Sequence, residues 1–304
     1  MTVDELSGST VTDVLRAATV LSGRRVVVLS GAGISTDSGI PDYRGPDAPA
    51  RRPMTYDEFV SGPAAQQRYW ARSHVGWRRM SEALPNDGHR AVAGMERAGV
   101  VGTVITQNVD GLHQAAGSHE VVDLHGRLSR VICLRCGDVS SRAALDRRLA
   151  ELNPGFADDE AVATAVQAPD GDADVSSFAG FVVAACLVCG GPLKPDVVFF
   201  GENVPPARVR VCYDAVDSAG ALLVAGSSLA VQSGLRFVRR AHQHGIPVVL
   251  VNRGSTRGDS LVTVKVDAGC TPVLKALERS LTARPEPGPT WADAGANGGS
   301  QGSR

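Results

Sequence analysis

Residues 25–36 have the sequence RVVVLSGAGIST. The run 25–30 is short, apolar and rich in β-branched residues, a pattern typical of a strand buried on both faces of a parallel sheet. Gly31 and Gly33 lack a Cβ atom, so the backbone amides that follow the strand can approach a pyrophosphate at a helix start. A generic tight turn is the alternative, because glycine is the usual residue wherever φ is positive. The stretch predicts the opening of an α/β nucleotide-binding unit.

Apolar runs recur along the chain at the spacing of strands that alternate with helices. They are residues 100–106, 120–124, 196–200, 221–225, 248–251 and 262–266. A first helix is predicted over 11–21, where apolar residues follow helical spacing until Gly23. The 34 glycines, 17 prolines and 5% aromatic residues favour this class over an all-β sandwich. We predict an α/β protein with a doubly wound parallel sheet of the Rossmann type, whose ligands lie at the carboxyl ends of the strands.

Composition limits the partners and the compartment. The chain has 304 residues, a net charge of -1 and a mean hydropathy of -0.03. A nearly neutral chain has no overall field that attracts nucleic acid or an acidic membrane, so we expect neither as a partner. Residues 1–10 lack the basic and then apolar pattern of a signal peptide, and no apolar run is long enough to span a membrane. These features predict a cytoplasmic protein.

Four of the six cysteines form two Cys-x-x-Cys pairs. They are Cys133 with Cys136, and Cys186 with Cys189. In a chain without a secretory signal, this pattern favours zinc over disulfides, although free thiol pairs or disulfides stay open as alternatives. Four thiolates complete a tetrahedral zinc site and imply no open position, so the ion is expected to be structural. Cys212 and Cys270 stand apart and are not counted as ligands.

The motifs and composition predict two interleaved domains and a tail. The Rossmann-type domain is expected to be discontinuous and to comprise residues 1–45, 85–130 and 195–283. A smaller domain combines a helical insertion, 46–84, with a zinc ribbon, 131–194, which contains an acidic excursion at 158–174. Residues 284–304 are rich in Pro, Gly, Ala and Ser, a composition typical of a disordered tail.

Eight motifs in one order resemble the sirtuin family over roughly residues 20–282. Besides the four cysteines, they are residues 31–36, 38–45, 106–113, 124–126, 194–202, 226–229 and 251–254. The sequence around residues 68–77 and at Asn153-Pro154 is most similar to the mitochondrial, class II branch of the family. This branch is lipoamidase-like or ADP-ribosyltransferase-like, and its members tend to be weak deacetylases. The resemblance implies an NAD-dependent protein deacylase that acts on acyl-lysine proteins and holds one structural zinc ion.

The same resemblance implies a role for individual positions. Those that would bind NAD are Gly31, Ala32, Gly33, Ser35, Asp42, Tyr43, Arg44, Gln107, Asn108, Asp110, Gly226, Ser227, Ser228, Asn252, Arg253, Gly254 and Cys270. Those that would contact the acyl-lysine substrate are Val198, Phe199, Gly201 and Glu202. His125 would be the catalytic base, assisted by Asn108 and Asp110.

The chemistry of the reaction explains these residue types. Cleavage of the bond between ribose and nicotinamide requires that the carboxamide be oriented and water excluded. Asn108 and Asp110 are suited to supply the orientation. A ribose hydroxyl must then attack the resulting imidate, and this step needs a base whose pKa lies near the working pH. Among seven histidines, His125 is preferred because it follows a predicted strand. His113 is interpreted as a structural neighbour on the next helix.

Tyr69 and Arg72 are three residues apart and share a face of the predicted insertion helix. In the sirtuin branch that removes succinyl and malonyl groups, a Tyr-x-x-Arg pair binds the acyl carboxylate. By this resemblance we predict a substrate site for acidic acyl groups here. The alternative is that Arg72 belongs to a solvated, arginine-rich face.

Three functions remain open from the sequence. The first is lysine deacylation, which yields nicotinamide, deacylated lysine and O-acyl-ADP-ribose. The second is mono-ADP-ribosyl transfer, in which a protein side chain attacks the same ribose carbon. The third is a non-catalytic NAD or zinc scaffold, and the presence of His125, Asn108 and Asp110 together argues against it.

Overall fold

The computed structural model describes residues 8–44, 53–158, 169–173 and 178–283. The predicted tail, 284–304, lies outside these residues, as does most of the acidic excursion. Within the described residues, no helix combines the length and the apolar character needed to cross a membrane.

Six parallel strands form the main sheet, which confirms the predicted doubly wound arrangement. These strands are β1 (Val26–Ser30), β2 (Val101–Thr106), β3 (Val121–Asp123), β7 (Ala221–Ala225), β8 (Val248–Val251) and β9 (Val264–Val266). Their spatial order is β3-β2-β1-β7-β8-β9, so the order reverses between β1 and β7. In open α/β sheets this reversal creates a crevice outside the carboxyl ends of the strands, where ligands bind.

Nine helices are described. They are α1 (Gly8–Leu21), α2 (Tyr56–Val60), α3 (Pro63–Glu82), α4 (Asp87–Arg97), α5 (Leu112–Ala115), α6 (Arg142–Leu152), α7 (Pro206–Asp217), α8 (Gln232–Gln243) and α9 (Cys270–Thr282). Helices α1, α4 and α9 pack on one face of the main sheet, and α7 and α8 pack on the other. Because both faces are covered, every residue of β1, β7 and β8 is buried, which explains their continuous apolar sequences.

Helix α1 shows how the sequence pattern specifies this packing. Val14, Ala17, Ala18 and Leu21 are its buried residues, and their spacing places them along one stripe of the helix. The chain then turns at Gly23, whose φ of 69° lies in the left-handed region that favours glycine. The predicted first helix and its glycine terminus are confirmed, although the helix begins three residues earlier than expected.

A second sheet of three antiparallel strands lies largely within the part of the chain that is predicted to be a small domain. These strands are β4 (Gly126–Cys133), β5 (Val139–Ser141) and β6 (Leu193–Val197), in the order β5-β4-β6. The prediction that the run 196–200 continues the main sheet is therefore wrong. Its strand, β6, pairs with β4, and an apolar run alone cannot distinguish the two sheets. Strand β4 also crosses the predicted domain boundary after Arg130.

The helical insertion contacts the zinc module through a buried arginine. Arg142, at the start of α6, is 1% exposed, and its guanidinium carbon lies 5.5 Å and 4.7 Å from the ring centres of Trp70 and Trp77 on α3. Its Nη1 donates to Asp146 at 3.1 Å, and the same carboxylate lies 2.7 Å from Nδ1 of His74. One charged group of the zinc module thus fixes the position of the insertion helix.

Candidate active site

Three loops meet at the carboxyl ends of β1, β2 and β7. The Gly33 amide donates to the Gly226 carbonyl at 2.8 Å, and the Gly31 amide donates to Ala225 at 3.0 Å. A Cβ atom added to Gly31 or Gly33 would lie 2.7 Å or 2.9 Å from atoms of Gly226. The glycines of the motif are therefore required by the close approach of two protein loops.

The expectation of a helix start at this motif is wrong. Two three-residue 3-10 turns, Ala32–Ile34 and Thr36–Ser38, follow β1 instead of an α-helix. The amides of Gly31 and Gly33 already donate to protein carbonyls, so in this conformation they do not point at a phosphate. Glycine-rich turns after a strand look alike in sequence whether a ligand or a neighbouring loop makes the close approach.

Gln107, Asn108 and Asp110 follow β2 and are held by the loop after β1. The Asn108 side-chain amide donates to the Gly31 carbonyl at 3.1 Å and to the Ser35 hydroxyl at 3.0 Å. The Ser35 hydroxyl donates to Asp110 at 2.7 Å, while the Gln107 amide donates to the Ser227 hydroxyl at 2.8 Å. Burial raises the pKa of the Asp110 carboxyl. Residues predicted to bind NAD from three separate motifs thus form one hydrogen-bonded network.

His125 lies in the turn between β3 and β4, at the same edge of the sheet. Its Nδ1 is 2.8 Å from the Gln107 carbonyl oxygen, and its Nε2 is 2.8 Å from the Ser233 hydroxyl. Burial lowers the pKa of His125, and the positive charges of Arg208 and Arg236 act in the same direction. The imidazole is thereby kept neutral and able to accept a proton near neutral pH.

Two buried histidines lie behind this network. His113 bonds Ser30 through Nε2 at 2.8 Å, and its ring centre is 5.0 Å from that of His89, whose Nε2 lies 3.5 Å from the Ser35 hydroxyl. Burial lowers the pKa of His113 to about 3 and that of His89 to about 4. His113 lies on α5, as the sequence analysis expects. No local pattern in the sequence singles out His89, because its contact with Ser35 joins residues 54 positions apart.

Beyond the carboxyl ends of β8 and β9 lie four of the positions predicted to bind NAD, Asn252, Arg253, Gly254 and Cys270. The Asn252 side-chain amide donates to the Arg253 carbonyl at 2.7 Å, and the Gly254 backbone amide donates to the Asp267 carboxylate at 2.9 Å. Cys270 begins α9 with its thiol buried, so its side chain faces the core. Burial raises the pKa of this thiol to about 12, so the thiol stays protonated in the core.

The loop after Ser228 is strained. Leu229 has φ of 54° although it is a bulky residue, and its side chain is buried. The Ser227 hydroxyl accepts from the Leu229 amide at 3.2 Å, which stabilises this conformation. Such strain is often found at ligand sites, where the surrounding structure over-determines the backbone.

Asp42, Tyr43 and Arg44 end the described part of the first loop. The Arg44 amide donates to the Asp42 carboxylate at 3.2 Å. The Tyr43 ring stacks edge-on with Phe200 at 5.9 Å, which brings the predicted NAD loop against the predicted substrate segment. Residues 45–52, the rest of this loop, lie outside the described residues.

The predicted substrate segment follows β6 and passes beside His125. The Val198 amide donates to the His125 carbonyl at 2.7 Å, and Phe199 packs against Tyr69 with their ring centres 5.3 Å apart. Gly201 has φ of 82° and open space around its Cα. The Glu202 carboxylate faces inward, since it accepts from Lys194 at 3.0 Å and from the Phe199 amide at 2.9 Å. The Glu202 carboxylate is thus already hydrogen-bonded within the protein.

Tyr69 and Arg72 lie on α3 with different surroundings. Tyr69 is buried among Trp70, Phe59 and Phe199, and burial, with the charge of Asp170 as a second cause, raises the pKa of its hydroxyl. The Arg72 guanidinium is 2.8 Å from the Asp172 carboxylate and donates to the Ala173 carbonyl at 3.1 Å. An acidic residue of the excursion therefore occupies the predicted carboxylate site.

The four predicted zinc ligands converge. Their sulfur atoms all lie within 4.8 Å of one another, with Cys133 and Cys189 3.5 Å apart and Cys136 and Cys186 3.8 Å apart. Hydrogen bonds from the backbone of Cys136 and Arg135 lower the pKa of the Cys133 thiol to about 6. Four sulfur donors at these separations fit a tetrahedral zinc ion. Cys212 is buried in α7, away from the cluster.

Comparison with known proteins supplies the family. Residues 31–233 match the family model described as "Sir2 family". A Mycobacterium avium (strain 104) protein named NAD-dependent protein deacetylase 1 is 58% identical over 267 residues, which cover 88% of this chain and 95% of the relative. A Monosiga brevicollis protein named NAD-dependent protein deacylase SIR4 is 47% identical over 275 residues, covering 88% and 87%. A solved structure of Sir2 with a p53 peptide and NAD+ has a TM-score of 0.69 at 31% identity, covering 86% of this chain and 95% of that one. The predicted family is thus confirmed, and the chain belongs to the Sir2 family.

Proposed function

We propose that this chain is an NAD-dependent protein lysine deacylase in which His125 is the general base. The observation that supports the proposal is the position of the imidazole, whose Nδ1 lies 2.8 Å from the Gln107 carbonyl. A carbonyl oxygen only accepts hydrogen bonds, so Nδ1 carries the proton and Nε2 presents a lone pair. When bound, NAD supplies the electrophilic ribose carbon and the hydroxyl that His125 deprotonates.

Asn108 and Asp110 orient the nicotinamide end. Both side chains are already held by Ser35, so little reorganisation is needed when the cofactor binds. The Gln107 side chain bonds Ser227 and thereby joins the loop after β2 to the loop after β7, on which the phosphates and a ribose are proposed to lie. Acyl-lysine proteins are the proposed substrates, with their chain beside the segment 198–202.

The proposed zinc ion is structural. All four sulfur atoms are needed for its coordination, so it offers no position for substrate. The ion would hold the two Cys-x-x-Cys turns together at the ends of β4 and β6. Its contribution to activity is the stability of the small domain, from which α6 contacts the insertion helix.

A test of the function follows the fate of labelled NAD. The protein is incubated with NAD labelled in the adenosine part and with acetyl-, succinyl- and glutaryl-lysine peptides, and nicotinamide, O-acyl-ADP-ribose and protein-bound label are measured. We expect nicotinamide to appear only with peptide and the label to leave as O-acyl-ADP-ribose. Label that stays on protein would instead indicate mono-ADP-ribosyl transfer, and absence of both products would indicate a scaffold.

The residue assignment is tested with a histidine pair. His125→Ala is expected to lose about two to four decades of turnover, the usual contribution of a general base, while NAD binding survives. His119→Ala is the matched control, because His119 is an exposed residue before β3. Deacylation by the His125 variant at the wild-type rate would show that another group is the base. The cytoplasmic location and the lack of nucleic-acid or membrane partners stay predictions.

A further inference from the structure

Ser233 contacts the proposed general base directly. It lies in the first turn of α8, is 8% exposed, and its hydroxyl oxygen is 2.8 Å from Nε2 of His125. Because Nδ1 of His125 donates to the Gln107 carbonyl, Nε2 is the unprotonated nitrogen of the neutral ring. The Ser233 hydroxyl therefore donates its hydrogen to Nε2.

This contact is not a helix cap. A serine in the first turn of a helix commonly caps the free amides, but within the described residues no side chain caps the N-terminus of α8, which begins after Val231. The same helical turn also packs against Gln107, whose carbonyl accepts from Nδ1 of His125. A Cβ atom added to Gly234 would lie 2.5 Å from the side-chain oxygen of Gln107. Adjacent residues of one helical turn thus contact His125 and Gln107.

We infer that Ser233 is a positioning residue for His125, an inference that rests on the proposed function. With the Gln107 carbonyl on one nitrogen and the Ser233 hydroxyl on the other, the ring plane is held at both ends. In the reaction, the Ser233 hydrogen first turns away from Nε2, which has only one lone pair. The O–H bond of the ribose hydroxyl then breaks, an N–H bond forms at Nε2, and the electron pair of the broken bond stays on the ribose oxygen. The serine keeps its own hydrogen, and its hydroxyl turns so that a lone pair of the oxygen accepts from the new Nε2–H.

The inference predicts the direction of a pKa change. Ser233 stabilises the neutral ring as a donor and the imidazolium as an acceptor, and a hydrogen bond to a charged group is about twice as strong. Loss of the hydroxyl therefore disfavours the charged form and lowers the pKa of His125 by roughly half to one pH unit. The other charged groups that act on the ring are Arg208 of α7 and Arg236 of α8, and both remain in the variant.

The test compares Ser233→Ala with Ser233→Thr and with Ser218→Ala. Ser218 directly follows α7, and its hydroxyl donates to the Ala215 carbonyl at the exposed surface, so Ser218→Ala is a matched loss of one hydroxyl. We expect Ser233→Ala to lower kcat about three- to tenfold, to move the acid limb of kcat/KM to lower pH by the shift above, and to leave NAD binding unchanged. Threonine, which keeps a hydroxyl, should restore both values.

A second measurement does not depend on activity. Nitrogen chemical shifts of His125 in the protein without NAD report the tautomer and the pKa by NMR titration. The inference requires a protonated Nδ1 in the wild type and a lower His125 pKa in Ser233→Ala. It is overturned by the opposite tautomer, or by a His125 pKa and an acid limb that are the same in both proteins. Full turnover by His125→Ala would contradict the proposed role of His125 as the base. If His125→Ala is inactive but Ser233→Ala has the wild-type kcat and pH profile, only the role of Ser233 is contradicted.

Discussion

Two sides of the candidate site hold their side chains in different ways. The cofactor side comprises the loops after β1, β2 and β7 with His125, and the acyl side comprises Tyr69 and Arg72 of α3 with residues 169–173. Asn108 is fixed by the Gly31 carbonyl and His125 by the Gln107 carbonyl, so both depend on backbone atoms at the ends of buried strands. Arg72 is fixed by Asp172, one hundred residues later in the chain, and α3 itself is braced by Arg142 of the zinc module. The first arrangement follows from sheet topology, whereas the second depends on particular side chains.

This difference predicts which substitutions stay local. Strand ends in the six-stranded sheet are stabilised by a core on both faces, so the loss of one polar group there should affect chemistry more than folding. The predicted small domain packs around a separate hydrophobic cluster, to which Ile40 and Leu112 also belong, and it has several buried polar braces. The loss of one brace should therefore loosen this part of the chain first. Four experiments can break or sharpen this contrast.

The largest effect is expected from loss of a zinc ligand. Cys186→Ser should abolish binding of the one zinc ion expected per chain. It should also unfold the predicted small domain, because binding of a structural metal contributes to folding. Hydrogen exchange should then rise in β4, β6 and α6, while β1 keeps its protection, and metal analysis would show no zinc. Cys212→Ala is the control, since this buried cysteine is not in the cluster. Retention of zinc by Cys186→Ser would contradict the assignment.

The next effect concerns the arginine between the two tryptophans. Arg142→Met removes a guanidinium that is 1% exposed and that donates to Asp146 and to the Ser73 carbonyl, so we expect the free energy of unfolding of the predicted small domain to fall by about 1.5–3 kcal/mol. Denaturant unfolding followed by the fluorescence of Trp70 and Trp77 measures it. Arg148→Met, on the same helix, removes only a surface hydrogen bond to Ala185 and should change little. Equal effects of both substitutions would mean that the brace has no special role.

Low pH should lower the free energy of unfolding, because buried histidines lie behind the cofactor side of the site. Burial lowers the pKa of His113 to about 3, whereas an unfolded histidine titrates near 6.5. Between these values the unfolded chain binds the extra proton, so stability falls with falling pH by about 1.4 kcal/mol per pH unit for each such group. From pH 6.5 to pH 5, His113 alone should account for about 2 kcal/mol.

The histidine contribution is separated by variants. His113→Gln should make the pH dependence of the unfolding free energy less steep by about one proton over this range, whatever its stability at pH 7. His119→Gln, at an exposed position, should leave the steepness unchanged. A His113 variant as pH-dependent as the wild type would show that this histidine is not held neutral.

The smallest effect concerns the acyl group. A carboxylate-tipped acyl chain must compete with Asp172 for Arg72, and the side chains of this pair are 23% and 8% exposed. We therefore expect Arg72→Met to lower the succinyl-to-acetyl ratio of kcat/KM by at most about fivefold, and Asp172→Asn to raise it similarly. Arg68→Met, one turn earlier on α3, is the control. Identical ratios in every variant would show that Arg72 serves only to hold residues 169–173.

Several features were predictable because they depend on local residue types. The run before Gly31 predicts a buried strand, since continuous apolar sequence is compatible with a sheet that is covered on both faces. The paired cysteines predict their own convergence, because few other roles require that spacing in a reduced compartment. The role proposed for His125 also depends on local pattern, because the residue follows a strand and lies beside the neighbouring motifs.

Other features depend on residues that the fold brings together from distant parts of the chain. Ser233 lies 108 positions after His125, and Arg142 lies 69 positions after the Ser73 carbonyl to which it donates. The run 196–200 has the composition of a main-sheet strand, yet its strand β6 pairs with β4, because pairing depends on which edge is available. Similarly, Arg72 has the spacing of a substrate residue, but Asp172 occupies its guanidinium. Local pattern thus specifies which elements form and which chemistry they carry. Packing selects the partner of each charged or hydroxyl group. Hydrogen bonds and ion pairs act over a few ångströms in space, and they do not depend on how far apart the two residues are in the sequence.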